Sequence, residues 1–122
     1  MAKKEKAVIF DFNGTLRKEG SHKPNKKLVK KALKDEKKEH VIVLTSEPHR
    51  KKDETKKWLK EHGLGKAELD VRPTGVNESD PREKARELDN HISKQFDVVK
   101  AYDDKHKNVK MFKKHGIKAK EV

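Results

Sequence analysis

Five short polar segments hold most of the side chains that could do chemistry in concert. Asp11, Asn13 and Thr15 follow the apolar run AVIF at 7–10, with Gly14 among them. Thr45, Ser46 and Glu47 follow VIVL at 41–44. Arg72 closes a shorter run at 69–72, and Asp80 and Lys84 stand a helical turn apart in the segment after it. Asp103 and Asp104 follow DVVKAY at 97–102. Adjacent acids at a strand end repel one another unless a cation sits between them. That pair is the first sign of a metal site. Asp80 has a second reading, as a helix cap and nothing more.

These groups act together only if the backbone delivers them to one place. The patterning predicts strands over 6–11, 41–44, 69–72, 97–102 and 117–122. It predicts helices over 24–38, 48–62 and 105–114, and another opening at Asp80. Leu28, Val29, Ala32 and Leu33 share one face of the first, with Pro24 early in its first turn. Trp58 and Leu59 anchor the second, which Gly63 closes. Asp80 as N-cap, Pro81 at the first helical position and Glu83 three after the cap make a capping box, followed by an apolar face of Ala85, Leu88 and Ile92. The last helix ends at Gly116. Strands alternating with helices argue for a parallel five-stranded sheet covered on both faces, a Rossmann-like α/β/α sandwich. Ligands of such sheets bind outside the carboxyl ends of the strands. All five polar segments fall on that rim.

Composition bounds the rest. The chain has 122 residues, the length of a single domain spanning 1–122. Only 30% of residues are apolar and 44% are charged, against about 25% charged in an ordinary domain. Such a mixture leans toward disorder unless its apolar residues are concentrated, as they are here in the strands. The result is a small core in a highly charged shell. Apolar runs never exceed four residues, so nothing spans a bilayer, which takes about 20. MAKKEK at the start has no apolar stretch behind it and is not a secretory signal. Without cysteine there are no disulfides, thiolate zinc sites or cysteine nucleophiles, and a cytoplasmic location is expected. The net charge of +12 attracts polyanions, phosphate backbones first among them. With 28 lysines against 5 arginines, the same charge also reads as a solubilising shell. Nothing in the sequence sets an oligomeric state.

The motifs in order resemble the haloacid dehalogenase-type phosphotransferases. A buried strand runs into Asp11-Phe12-Asn13-Gly14-Thr15, where the family has Asp-x-Asp-Gly-Thr; Thr45 is the hydroxyl motif, Lys84 the lysine motif and Asp103-Asp104 the acidic motif. A narrower resemblance covers most of the chain after residue 40. Val71-Arg72-Pro73 with Gly75, Asn77, Asp80, Lys84, Glu87 and His91 is similar to the 3′-phosphatase domain of bacteriophage polynucleotide kinase/phosphatases. So is the run from Asp97 through Asp103-Asp104-Lys105 to Val122. The resemblance implies action on 3′-phosphate ends of DNA or RNA. No Walker A sequence occurs, so a phosphatase domain without its kinase half is expected.

The resemblance also implies roles. Asp11 would attack phosphorus and carry an aspartyl-phosphate. Mg²⁺ would be held by Asp11, the backbone carbonyl of Asn13 and the pair Asp103/Asp104. Thr45, with Ser46 and Asp80 beside it, and Lys84 would hold the substrate phosphate. Arg72 would be a guanidinium fork for it, or else a surface ion pair. There are departures. Where the family has a second aspartate, which protonates the leaving alcohol and deprotonates the attacking water, this chain has Asn13. An amide does neither, and such help is worth about 10²–10⁴-fold. Glu47 stands where a substrate-contacting arginine is usual, Val76 replaces an aspartate, and Lys105 follows the acidic pair where arginine is commoner. An impaired phosphatase is expected. The alternative is an inactive variant, pseudoenzyme or redesigned scaffold that binds metal or nucleic acid without turnover. A small-molecule phosphatase of the same superfamily is a third reading, disfavoured by the segment 71–84. Only 33 residues separate Asp11 from Thr45, and the loop at 73–79 has seven, so no sizeable cap domain is expected. An open rim suits the end of a polymer.

Overall fold

The computed structural model describes residues 4–72 and 79–122, except that the side chain of Arg72 lies outside the description. Five strands form one sheet: β1 (Glu5–Phe10), β2 (His40–Pro48), β3 (Glu68–Arg72), β4 (Phe96–Asp103) and β5 (Lys118–Glu121). Their order is β3-β2-β1-β4-β5 and every pairing is parallel. The helices are α1 (Lys26–Glu36), α2 (Lys52–Glu61), α3 (Asp80–Glu87), α4 (Ser93–Gln95) and α5 (His106–Lys114). A single turn, His49–Lys51, precedes α2, and a π-helical turn, Leu88–Ile92, joins α3 to α4.

The central strand shows why the sheet needs two covers. Successive side chains point to opposite faces, and all four residues of AVIF are buried. Val8 and Phe10 join Leu28, Val29, Ala32, Trp58 and Tyr102 under α1 and α2. Ala7 and Ile9 join Leu88, Ile92, Ala101, Met111 and Phe112 under α3 to α5. This is the three-layer α/β/α sandwich the patterning predicts, with a continuous apolar run because both faces are buried.

Some element ends differ from expectation, each for a local reason. The first helix begins at Lys26, after Pro24. Its cap is Asn25, whose side chain accepts a hydrogen bond from the Leu28 amide at 3.4 Å. The second strand runs on to Pro48, because pairing with β3 resumes at Pro48–Arg72 beyond an irregularity. Ser79, not Asp80, is the N-cap of α3, which puts Asp80 at the first helical position and Pro81 at the second. No side-chain cap forms there, because the Asp80 carboxylate is taken by groups across the rim. Between β1 and α1 the chain makes a compact loop pinned by buried Phe12 and Leu16 and by backbone bonds such as Gly14 N–H to Arg17 O at 2.8 Å. Among the described residues no cap domain covers the rim.

Candidate active site

Asp11 lies one residue beyond β1, and its N–H donates to the Tyr102 carbonyl at 2.9 Å. That bond extends the β1–β4 ladder past the formal strand end, which places Asp11 beside Asp103 and Asp104 at the end of β4. Oxygens of these three carboxylates lie within 4.8 Å of one another. Lys84 reaches up from α3 into the cluster. Its ammonium donates to Asp11 Oδ1 at 2.9 Å and to Asp103 Oδ2 at 2.8 Å, and the residue is 1% exposed. Thr15 Oγ1 donates to Asp11 Oδ2 at 3.1 Å. Asn108 Nδ2 and the Lys105 amide hold Asp103 at 3.1 and 3.0 Å.

The charge balance follows from that packing. Burial foremost, then the neighbouring Asp103 and Asp104, push the Asp11 carboxyl up to about 7, although Lys84 pulls the other way. Burial works against a charged Lys84, but Asp11 and Asp103 outweigh it and hold its pKa above the ordinary lysine value. Asp104 lies against Asp11 and adds to that upward push. Asp104 Oδ1 is buried with no hydrogen-bond partner among the described residues. A hard divalent cation fits here: it would neutralise the gathered carboxylates and satisfy the orphaned oxygen.

Gly14 is what lets Asp104 approach. Its φ is +85°, and a Cβ there would lie 2.2 Å from Asp104 Oδ2.

A second group of side chains surrounds Asn13. Its Oδ1 accepts from Arg17 Nε at 2.9 Å and Nη2 at 2.5 Å, and its Nδ2 donates to Glu47 Oε1 at 2.5 Å. Arg17 also pairs with Glu47 at 3.2 Å and lies 4.6 Å over the Phe12 ring. The other Glu47 oxygen accepts from Thr55 Oγ1 at 2.8 Å. Asn13 and Glu47 are separate departures in the sequence; in the fold they are one hydrogen-bonded unit. Arg17 and Thr55 carry no motif, and no sequence signal singles them out.

The remaining predicted residues take distinct places. Thr45 is buried near the end of β2, its Oγ1 accepting the Glu47 amide at 3.2 Å. Asp80 accepts from Lys105 Nζ at 2.5 Å and is hydrogen-bonded to Ser46. Burial works to raise the Asp80 pKa, but Lys105 and Ser46 overcome it and hold the carboxyl below its usual range. Arg72 ends β3 on the same rim, but its side chain lies outside the described residues, as do Pro73, Gly75, Val76 and Asn77. The rim thus brings Asp11, Lys84, Asp103 and Asp104 into one contact cluster. Ser46, Asp80 and Lys105 form another, and Asn13 sits in a third.

A five-stranded parallel sheet in this order, with an acid–lysine cluster at its carboxyl edge, is the architecture of a haloacid dehalogenase-type phosphatase domain. Residues 5–122 match the family described as the polynucleotide kinase PNKP phosphatase domain, and the chain belongs to that family. Its fold is shared with a chain of a Pnkp1/Rnl/Hen1 RNA repair complex, at a TM-score of 0.87 and 20% identity over 98% of this chain. A second structure of a Pnkp1/Rnl/Hen1 complex superposes with a TM-score of 0.89 and 19% identity over 100% of this chain. The chain spans 42% and 47% of the lengths of those two proteins. No curated protein sequence matches it. Among the described residues no helix is long and apolar enough to cross a membrane.

Proposed function

We propose that the chain is a Mg²⁺-dependent phosphatase domain for 3′-phosphate ends of DNA or RNA, with turnover limited at Asn13. The observation that carries this reading is the buried cluster in which Lys84 bridges Asp11 and Asp103 while Asp104 keeps an unpartnered oxygen. Mg²⁺ supplies charge neutralisation, letting an anionic carboxylate approach an anionic phosphate. Asp11, Asp103, Asp104 and the Asn13 carbonyl are the residues that would hold it.

Asp11 attacks phosphorus through a carboxylate oxygen. A P–O bond to Asp11 forms, and the bond to the sugar 3′ oxygen breaks. Lys84 and Thr45 hold the non-bridging phosphate oxygens, with Ser46 and Arg72 at the margin. Asp80 orients Lys105 and Ser46 there. The leaving oxygen needs a proton, and the water that later cleaves the aspartyl-phosphate must lose one. Asn13 does neither, since its amide has no exchangeable acid and is bonded at both ends to Arg17 and Glu47. Solvent must carry those protons on an uncapped rim, and the reaction is slow.

Those same two-ended bonds favour a second reading, a module that holds metal and nucleic acid without turnover. One assay separates the readings: release of phosphate from a 3′-phosphorylated oligonucleotide with Mg²⁺, by this chain, its Asp11→Asn variant and its Asn13→Asp variant. Slow release lost in Asp11→Asn supports the phosphatase. No release by any of the three supports the binding module.

A further inference from the structure

We propose that the trough between α1 and β5 is a track for the sugar–phosphate backbone of a single-stranded polynucleotide leaving the catalytic rim. The inference rests on the phosphatase reading only for what happens at the 3′ end. Backbone binding along the trough does not depend on chemistry at Asp11.

The trough exists because the sheet outruns its cover. α1 packs over β1 and the neighbouring strands, and β5 extends beyond it, leaving Tyr102, Val122 and Leu28 as the floor. The walls are basic. Lys27, Lys30, Lys31 and Lys34 recur three and four residues apart on α1 and make one stripe on that side. Lys120 faces them from β5. In the register Lys100–Lys118 and Tyr102–Lys120, Lys100 and Lys118 share the sheet face of Tyr102 and continue the basic wall down the strands.

Lys31 apart, the lysines of the α1 stripe and Lys120 are not neutralised. Asp35 is paired with Lys31 at 2.6 Å, and Glu121 with His106 at 2.9 Å. Among the described residues no carboxylate forms an ion pair with Lys27, Lys30, Lys34 or Lys120. Two other clefts mix signs. The one beside Lys37 and Lys38 carries Glu5, Glu36 and Glu39, and the one beside Lys4 carries Asp97. The α1–β5 trough has one carboxylate among its lining residues, Glu121.

Its position fits a substrate path. Tyr102 immediately precedes Asp103, and the Val122 amide donates to the Asp103 carbonyl at 3.0 Å. Asn25, the cap of α1, opens the trough at the rim. From Lys27 to Lys34 the helix rises about 10 Å, the axial length of about three nucleotides in a stacked strand. Tyr102 is buried and stacked on Phe10 at 4.8 Å, so its ring offers no face to a base. The contacts are to phosphate, and sequence preference is slight.

The test compares two variants of equal charge change. One carries Lys27→Gln, Lys30→Gln and Lys34→Gln; the other carries Lys56→Gln, Lys57→Gln and Lys60→Gln on the exposed side of α2. Glutamine keeps the helix propensity of lysine. Binding of a fluorescent 12-nucleotide single strand is measured with Mg²⁺ over a salt series, with and without a 3′-phosphate. The α1 variant is expected to bind about tenfold more weakly at low salt, with a log–log salt slope shallower by about 2 for three lost phosphate contacts. The α2 variant is expected to change less than about twofold. Equal weakening by both variants, or none by the α1 variant, overturns the track. Equal affinity for the two ends with the α1 effect intact overturns end recognition and leaves the track standing.

Discussion

Asn13 sets the first expectation at the scale of a single residue. Replacing it by aspartate supplies the missing proton-transfer carboxylate, worth about 10²–10⁴-fold when well placed. The structure limits that gain, because the new carboxylate would face Glu47 at the 2.5 Å now bridged by an amide N–H. Asn13→Asp should therefore raise phosphate release from a 3′-phosphorylated oligonucleotide by about tenfold, short of the full range of acid–base help. Asn13→Asp with Glu47→Gln should exceed it, since a neutral amide at 47 restores a donor to the new acid. A double variant no faster than the single one would dissociate Glu47 from the problem. Lys84 gives the second expectation. Lys84→Met leaves Asp11 and Asp103 buried without their shared cation, and breaking such a pair costs about 3–5 kcal/mol. Urea unfolding at pH 7 without metal should show a loss of about 3 kcal/mol, the lower end because Asp11 can take up a proton. A loss below about 1 kcal/mol would mean Lys84 does not bear the cluster's charge.

At the scale of elements, the contact between β3 and α3 is pH-sensitive. Asp70 on β3 is pushed up to about 7 by burial, then by the neighbouring carboxylates of Glu87 and Glu83. A carboxyl whose folded pKa lies above its unfolded value binds more protons folded than unfolded. Its contribution to stability is fully present below about 4 and is lost as pH rises through about 7. Thermal unfolding between pH 4 and 8 should show stability falling over that window, with Asp70→Asn flattening the fall. An unchanged pH profile in that variant would remove Asp70 as the cause. The loop after β1 makes a different demand. Gly14→Ala places a Cβ in a left-handed conformation and against Asp104. The variant should bind Mg²⁺ more weakly by titration than it is destabilised in unfolding, because the loop can yield and the cation site cannot.

For the whole molecule, three acids on one rim are a stored repulsion that a cation relieves. A ligand that binds only the folded state stabilises it by RT ln(1 + [L]/Kd). Millimolar Mg²⁺ should raise the melting temperature, and Asp104→Asn should remove most of the rise while leaving Lys84 paired with Asp11 and Asp103. A melting curve indifferent to Mg²⁺ would count against the site. The net charge of +12 works in the opposite sense, as self-repulsion over the surface, so moderate monovalent salt should raise the melting temperature of the protein and of its Asp104→Asn variant alike.

The order of elements and the sheet were determined by sequence, because strands buried on both faces must be continuous apolar runs, and these runs are unmistakable in so charged a chain. So was the acid–lysine cluster: Asp11, Lys84, Asp103 and Asp104 sit where strands end and a helix begins, and a parallel sheet places such ends on one rim. Element ends were less legible. β2 continues past polar Thr45 and Ser46 because its pairing with β3 resumes at Pro48, and α3 loses its side-chain cap because Asp80 finds Lys105 and Ser46 instead. The tertiary structure alone decided which departures belong together. Asn13 and Glu47 are 34 residues apart, joined through Arg17, and their contact depends on how a loop folds over Phe12 and Leu16. It also decided which lysines matter. Twenty-eight lysines look alike in sequence, and only the packing of α1 against a sheet that outruns it separates a largely unpaired basic trough from an ordinary solvated shell.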